Sequence, residues 1–317
     1  MDTLKAGIKA GLQTTWVLGK VIFPVTLIVT LLSFTPVIDW IVVLFEPLMR
    51  LIGLPGEAAI PFVLANFLNL YAGIGAVLSL SLDVKEVFIL AVMMSLSHNL
   101  FIETAVAVKV GIKAWVAVTV RLGLAFLSAF LIHLFWSGGQ TPAQYGMIPN
   151  TSTENIEGWL AMTLHALNTA VIGILQLAMI VIPLMIFIQW MKDRDFLKLF
   201  TRWMRPATKV LGLSPNTSTT LGAGLLFGLA YGAGVIIQAV KEDNMSQRDV
   251  YLLFIFLVAC HAVVEDTLIF LPLGIPLWPL LLTRLVLAIL LTIAIGLLWK
   301  RTEHTPSQSY LKEETNH

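Results

Sequence analysis

The chain has 317 residues, of which 57% are hydrophobic and only 12% charged, against roughly 25% charged in soluble domains. With a mean hydropathy of +0.86, it cannot be a soluble enzyme, a nucleic-acid binder or a disordered chain, because the surface of a soluble domain must stay charged. The net charge of +1 points to no acidic or basic partner, and the single cysteine, Cys260, excludes a disulfide framework or a multi-cysteine zinc site.

A membrane span needs about 20 mostly apolar residues. Uncharged runs cover 21–38, 58–82, 87–102, 122–153, 158–191 and 210–240. Three further apolar stretches, 250–264, 267–283 and 285–299, are separated by one or two charges each. The runs are rich in Leu, Ala, Ile and Val and show no period-2 alternation, so helices are expected rather than barrel strands. The first run ends at Pro36 with no cleavage signal, and reads as a retained helix. Residues 37–54 carry Asp39, Glu46 and Arg50, and residues 192–213 mix basic residues with Phe, Leu and Trp. Both read as amphipathic helices at the membrane interface.

The two halves repeat each other. Pro24 aligns with Pro183, Pro47 with Pro206, and Gly53-Leu54 with Gly212-Leu213, all at an offset of 159. Tyr71 aligns with Tyr231, each beside glycines. Further on, an offset of 163 pairs His98 with His261, Glu103 with Asp266, Thr104 with Thr267, Gly111 with Gly274, Trp115 with Trp278 and Arg121 with Arg284. The expected organisation is a first repeat over 1–137, an external linker over 138–158, a second repeat over 159–300 and a polar cytoplasmic tail over 301–317.

Charge decides the relative orientation of the halves, because cytoplasmic loops carry the excess Lys and Arg. If 58–82 and 216–240 each enter and leave on one side, 16 basic residues fall inside and two outside, with Arg121 and Arg284 within spans. If those segments cross fully, the tally is 9 against 9. The expected fold class is therefore all-α and polytopic. It has two inverted repeats, each with three spans, one re-entrant hairpin and one interfacial helix, and both termini are cytoplasmic. Asn66, Asn69, Tyr71, Gly73 and Gly75 break the first hairpin, and Gly222, Gly224 and Gly228 punctuate the second. Backbone can turn inside a membrane where it faces protein or a wet cavity. Close helix packing through small residues is the competing reading of these glycines.

Inverted repeats with interrupted helices form a transporter pattern. The candidate substrate or ion ligands are His98, Asn99, Glu103, Thr104, His261, Glu265, Asp266 and Thr267, with Asn66, Asn69, Gly73, Gly222 and Gly224 at the hairpins. A carboxylate at membrane depth is expensive, and it pairs, faces water or carries ions. Arg121 and Arg284 are the candidate structural counter-charges. The alternative for the histidines is a structural bond to a backbone carbonyl. His165 and Asn168 have no counterpart in the first half, and His133 sits near a helix end. Met93, Met94 and Cys260 flank the two histidines and read as packing; the alternative is that, together with the carboxylates, they form a soft-metal site. No metal ligand set, cofactor or catalytic constellation is expected, so the chain is not read as an enzyme.

At these residues the chain resembles the nucleoside recognition, or Gate-domain, membrane family. The resemblance rests on two blocks, about 47–120 and 206–285, each running from Pro-x5-Gly through the glycine–tyrosine element to His…Glu/Asp-Thr. Related modules occur in spore-maturation membrane proteins and in the membrane part of ferrous-iron permeases; the arrangement also looks like that of concentrative nucleoside transporters. There is no GTPase domain and no cysteine-containing Gate element, which argues against iron. The resemblance implies a secondary transporter of a small polar solute in the bacterial cytoplasmic (inner) membrane, with nucleosides as one substrate class and H⁺ or Na⁺ as coupling ions. Its partners are then the lipid bilayer and a small molecule, with a homo-oligomer compatible and no nucleic acid. The alternatives are a non-transporting module for partner binding or envelope assembly, and a metal-ion permease.

Overall fold

The computed structural model describes residues 2–32, 34–146, 158–194, 196–231, 236–237, 240 and 245–303. The linker over 147–157, the tail beyond 303, and Gly232 and Gly234 of the second glycine–tyrosine element lie outside these residues. The regular structure of the described residues is helical, with no strand beyond one isolated bridge, Asp83 to Pro142.

Two long helices, α1 (Asp2–Leu32) and α8 (Trp159–Asp193), pack along each other. A Cβ added at Gly7 would lie 2.6 Å from Ile186 Cα, and one at Gly11 2.8 Å from Ile182 Cα; one at Gly19 would meet Ile174. The partner's number falls as the glycine's rises, so the helices run antiparallel. Small residues one turn apart let the backbones approach this closely. Pro24 and Pro183, the residues aligned between the halves, lie inside α1 and α8.

The two amphipathic segments form α2 (Pro36–Arg50) and α9 (Phe196–Val210). Each is followed by a glycine at positive φ, Gly53 at 74° and Gly212 at 71°, where a side chain would be strained. In the first half Glu46 holds the connection: Arg50 Nε and Gly56 N both donate to its carboxylate, which keeps Glu46 below the usual carboxylate range.

Residues 58–82 form two short helices, α3 (Ala59–Phe67) and α4 (Leu70–Val77), packed against each other. Nine residues rise only about 14 Å, roughly half the ~30 Å hydrocarbon thickness. Leu68 leaves the helical region and Asn69 is extended, its side chain accepting from Ala72 N to cap α4. The second half has α10 (Ser218–Tyr231), broken at Gly228, whose φ of 74° and ψ of −179° are open essentially to glycine alone.

The centre holds α5 (Val84–Leu96), α6 (Leu100–Lys109), α11 (Gln247–Ala259) and the short α12 (Glu265–Leu268). They are flanked by α7 (Ala114–Phe135) and α13 (Leu277–Glu303). α5 packs on α7 and α13, and α11 packs on the same two, so each broken helix touches both halves.

Among the described residues, four stretches are long and apolar enough to cross a membrane: 84–109, 114–135, 159–191 and 277–299. Of the first, 72% is buried; of the others, 33%, 29% and 28%. Their exposed faces carry Leu127, Phe135, Trp159, Leu160, Trp278 and Leu290. Such faces suit lipid and not water. The apolar part of α1 is short (Ile22–Leu32), because its first 20 residues include Asp2, Lys5, Lys9 and Lys20.

Candidate functional site

The site is built where two helices break at aligned positions. α5 ends at Leu96 and the chain restarts as α6 at Leu100; α11 ends at Ala259 and α12 starts at Glu265. In the first gap Asn99 takes φ of 45°, and in the second Ala262 takes 42°. Asparagine tolerates that left-handed region; alanine does so at a cost of about 1–2 kcal/mol. Each break turns its backbone toward a preceding helix of its own half, α3 in the first and α10 in the second. Asn99 N donates to Ala65 O at 2.9 Å, and Ala262 N donates to Gly224 O at 3.1 Å.

A broken helix leaves carbonyls without donors, which is untenable in an apolar interior. The histidines and arginines supply them. In a continuous helix Met94 O would receive the amide of residue 98; here the His98 ring Nδ1 approaches it at 2.8 Å. His261 Nδ1 does the same for Leu257 O at 2.7 Å. A carbonyl has no proton to give, so both Nδ1 atoms carry hydrogen. The carbonyl of His98 accepts from Arg121 Nη2 at 2.6 Å, and that of His261 accepts from Arg284 Nη2 at 2.7 Å.

The carboxylates complete both sets. Glu103 and Asp266 sit in the first turns of α6 and α12, where the helix dipole favours negative charge. Arg121 Nη2 lies 3.0 Å from Glu103 Oε2, and Arg284 Nη2 lies 3.1 Å from Asp266 Oδ2. Both arginines are fully buried.

The two sets meet. The imidazole centroids are 5.2 Å apart. Glu103 Oε1 lies 3.4 Å from His98 Nε2 and 3.3 Å from His261 Nε2. Asp266 Oδ2 lies 3.5 Å from His261 Nε2 and 3.9 Å from His98 Nε2. Four groups separated by up to 168 residues in sequence therefore share one spot between the halves.

A cavity of about 300 Å³ opens on this spot. Its walls include Asn69 and Tyr71 from the first hairpin segment, Phe227 and Gly228 from the break in α10, and Asn99 and Glu265 from the broken helices. Tyr71 Oη donates to Glu265 Oε1 at 2.6 Å, a contact between halves.

Not every residue singled out above reaches the cavity. Asn66 is buried behind it, donating to Phe62 O at 2.8 Å and accepting from Ser97 Oγ at 2.6 Å, which ties α3 to the first break. Gly73, Gly222 and Gly224, expected at unwound turns, lie inside helices. An added Cβ would be 2.7 Å from Ala65 Cβ at Gly73 and 2.5 Å from a Leu257 methyl at Gly224, so these two glycines serve packing. The unwound residue of the second segment is Gly228. Thr267 Oγ1 is 3.5 Å from Arg284 Nη1, while the half-buried Thr104 hydroxyl has no partner among the described residues. His165 lies against Phe34, away from the site. Met93, Met94 and Cys260 are buried. Sequence reasoning passed over Tyr71 as a site residue. Its signal was a tyrosine repeated in both halves within glycine-rich apolar runs.

Apolar helices around buried, mutually compensated histidines, arginines and carboxylates, beside a cavity, define a helical membrane protein with an internal polar site. The chain belongs to the nucleoside recognition (Gate) family, which matches residues 15–113 and 174–275. It is 61% identical over 296 residues to the uncharacterized membrane protein YvoD of Bacillus subtilis (strain 168), covering 93% of this chain and 95% of that protein. No solved structure matches.

Proposed function

We propose that the protein is a secondary transporter of a small polar solute in a bacterial cytoplasmic membrane, with the cavity between the halves as its binding site. The observation that carries this reading is the cavity itself. It is walled by both His–carboxylate motifs and by the breaks at Asn69 and Gly228, so that either half can release or close it. Its 300 Å³ stands at the small end of the ~300–1,000 Å³ typical of ligand pockets, which favours a nucleoside or something smaller. H⁺ or Na⁺ is the coupling ion of this reading.

Six crossings, two re-entrant hairpins, inverted halves and cytoplasmic termini form the matching topology. The excess of basic residues on one side supports it, and so do the antiparallel α1 and α8. Two similar halves in opposite orientation can exchange conformations around a fixed midplane site. A second reading, a non-transporting module that binds a partner, draws on the ion pairing of Glu103 and Asp266 with buried arginines.

The test is a melting-temperature screen of the purified protein against nucleosides, nucleobases and other small polar metabolites, followed by uptake of any stabilising compound into proteoliposomes. A ligand that binds the native state raises the melting temperature. Uptake that collapses when Asn69 and Asn99 are changed to alanine supports the reading. Binding without uptake under any imposed H⁺ or Na⁺ gradient points to the partner-binding module.

A further inference from the structure

The junction of the two halves has an electrostatic peculiarity that solute transport does not require. Both imidazoles spend their Nδ1–H on backbone carbonyls. In the neutral ring, each Nε2 then presents a bare lone pair, and both are directed at carboxylate oxygens 3.3 to 3.9 Å away. Nε2 of His98, Nε2 of His261, Glu103 Oε1 and Asp266 Oδ2 converge on one spot. Donor atoms gathered in this way are satisfied by a cation among them, either a proton on an imidazole or a metal ion.

We infer that His98, His261, Asp266 and Glu103 form a binding site for one divalent transition-metal ion. Ligand atoms of His98, His261 and Asp266 all lie within 4.8 Å of one another. Bonds of about 2.0–2.1 Å in a tetrahedron put neighbouring donors about 3.3 Å apart. Four of the six donor–donor edges are Nε2–oxygen separations: those of 3.3, 3.4 and 3.5 Å match that value, and the 3.9 Å one needs only a small movement. Two imidazole nitrogens select a transition metal over Na⁺, Mg²⁺ or Ca²⁺, which take oxygen ligands. The surroundings are those of an oriented ligand set: each Nδ1–H is fixed by a carbonyl, and Arg121 holds the far oxygen of Glu103. The cavity supplies an entry path.

The two guanidiniums set the strength of the site. They already balance the two carboxylates, so a bound dication leaves a net positive charge. The ion is therefore exchangeable and not a structural staple: chelation removes it without unfolding the chain. The sequence alternative of a soft-metal site added Met93, Met94 and Cys260 to these residues; the proposed donors come from both halves, two residues from each, with no short ligand spacing. The inference goes beyond the transport reading and does not depend on it.

The experiment uses the full chain purified in detergent, stripped with EDTA, dialysed and titrated with Co²⁺. The expected result is one Co²⁺ per chain, with the intense visible bands of a four-coordinate ion and displacement by Zn²⁺. His98→Gln and His261→Gln should each weaken binding roughly tenfold or more, and His165→Gln should leave it unchanged. Should either glutamine variant fail to fold, X-ray absorption of the Zn²⁺-loaded unmodified protein decides: two imidazoles per zinc support the site and none overturns it. Absence of stoichiometric Co²⁺, or binding that persists undiminished in both folded variants, overturns it too. So does stabilisation by acid alone without metal uptake, since protons are then the cations that relieve the cluster. Metal bound without solute uptake defeats only the transport reading, and solute uptake without metal binding defeats only this one.

Discussion

Neutralising Glu103 tests the cluster at its most buried carboxylate. The side chain of Glu103 is 2% exposed, and Arg121, its partner at 3.0 Å, is 1% exposed. Glu103→Gln keeps the shape and removes the charge, which leaves the guanidinium with only the carbonyls of His98 at 2.6 Å and Leu96 at 3.4 Å. Stranding one member of a buried ion pair costs about 3–5 kcal/mol. At about 2 °C per kcal/mol for a chain of this size, the melting temperature should fall by roughly 6–10 °C. Asp266→Asn should cost less, because the Asp266 side chain is 10% exposed and Arg284 keeps both His261 O and Thr267 Oγ1. Replacing the whole pair, with Glu103→Leu and Arg121→Met together, should recover most of the loss, since apolar side chains of similar volume are tolerated where an ion pair was buried. The assay is thermal unfolding in detergent at one scan rate with EDTA present, so that metal binding contributes nothing. A loss below about 1 kcal/mol for Glu103→Gln would show that the pair is not a buried electrostatic unit. A double variant no more stable than the single one would refute the reasoning equally.

Cysteines placed at the exposed Ser137 and Ser246, in a Cys260→Ala background, should react with an impermeant thiol reagent from opposite sides of sealed vesicles; labelling from one side alone excludes inverted halves. Gly228→Ala should cost about 1–3 kcal/mol, because φ of 74° with ψ of −179° suits glycine alone, and its new methyl would sit 3.0 Å from Ala262 Cβ. An unchanged melting temperature would mean that the break relaxes freely. Ala262→Gly should be neutral or stabilising and Ala262→Val destabilising, since position 262 has φ of 42°; the reverse order in thermal unfolding would contradict that backbone geometry. Gly11→Leu should destabilise by about 1–3 kcal/mol through overpacking, as its Cβ would lie 2.8 Å from Ile182 Cα. Gly123→Ala, where nothing lies within 4 Å, is the control for that variant.

Much of this arrangement can be read from the amino-acid order. Composition leaves only a membrane protein, and the 163-residue offset singles out His, Glu/Asp and Arg as sets. Amphipathic segments 37–54 and 192–213 stand out by their charges and lie at α2 and α9. What the order does not disclose is which backbone unwinds. Glycine is the marker of both close packing and positive φ, so Gly73, Gly224 and Gly228 look alike in sequence. Contact decides between them: Gly73 and Gly224 are pressed against Met94 and Leu257, whereas Gly228 breaks its helix. Nor does a pattern of apolar runs reveal that α5 and α11 stop short, because His98 and His261 sit inside otherwise continuous apolar sequence. The breaks depend on partners from elsewhere, namely the arginine donors 23 residues downstream and the carbonyl acceptors of Ala65 and Gly224.

That dependence explains why the polar residues come as sets and not singly. A helix broken inside an apolar bundle must replace each lost backbone bond. His98 and His261 replace one, Arg121 and Arg284 another, and each arginine then needs a carboxylate because a buried guanidinium cannot stand unpaired. The carboxylates are drawn to the restarting helices, whose first turns favour them. Once two such sets face each other, the imidazole Nδ1 hydrogens are spent on carbonyls, and the two Nε2 atoms meet two carboxylates. Breaking the helix in each half thus brings together the donors of the single proposed cation site, two from each half. The halves are not identical in this respect: α6 continues for ten residues, whereas α12 has only four, and Glu103 is more deeply buried than Asp266. In the transport reading proposed above, halves that exchange shapes differ in this way at any instant, and the exchanged conformation buries Asp266 as deeply as Glu103 is buried here, with both carboxylates still lining the cavity.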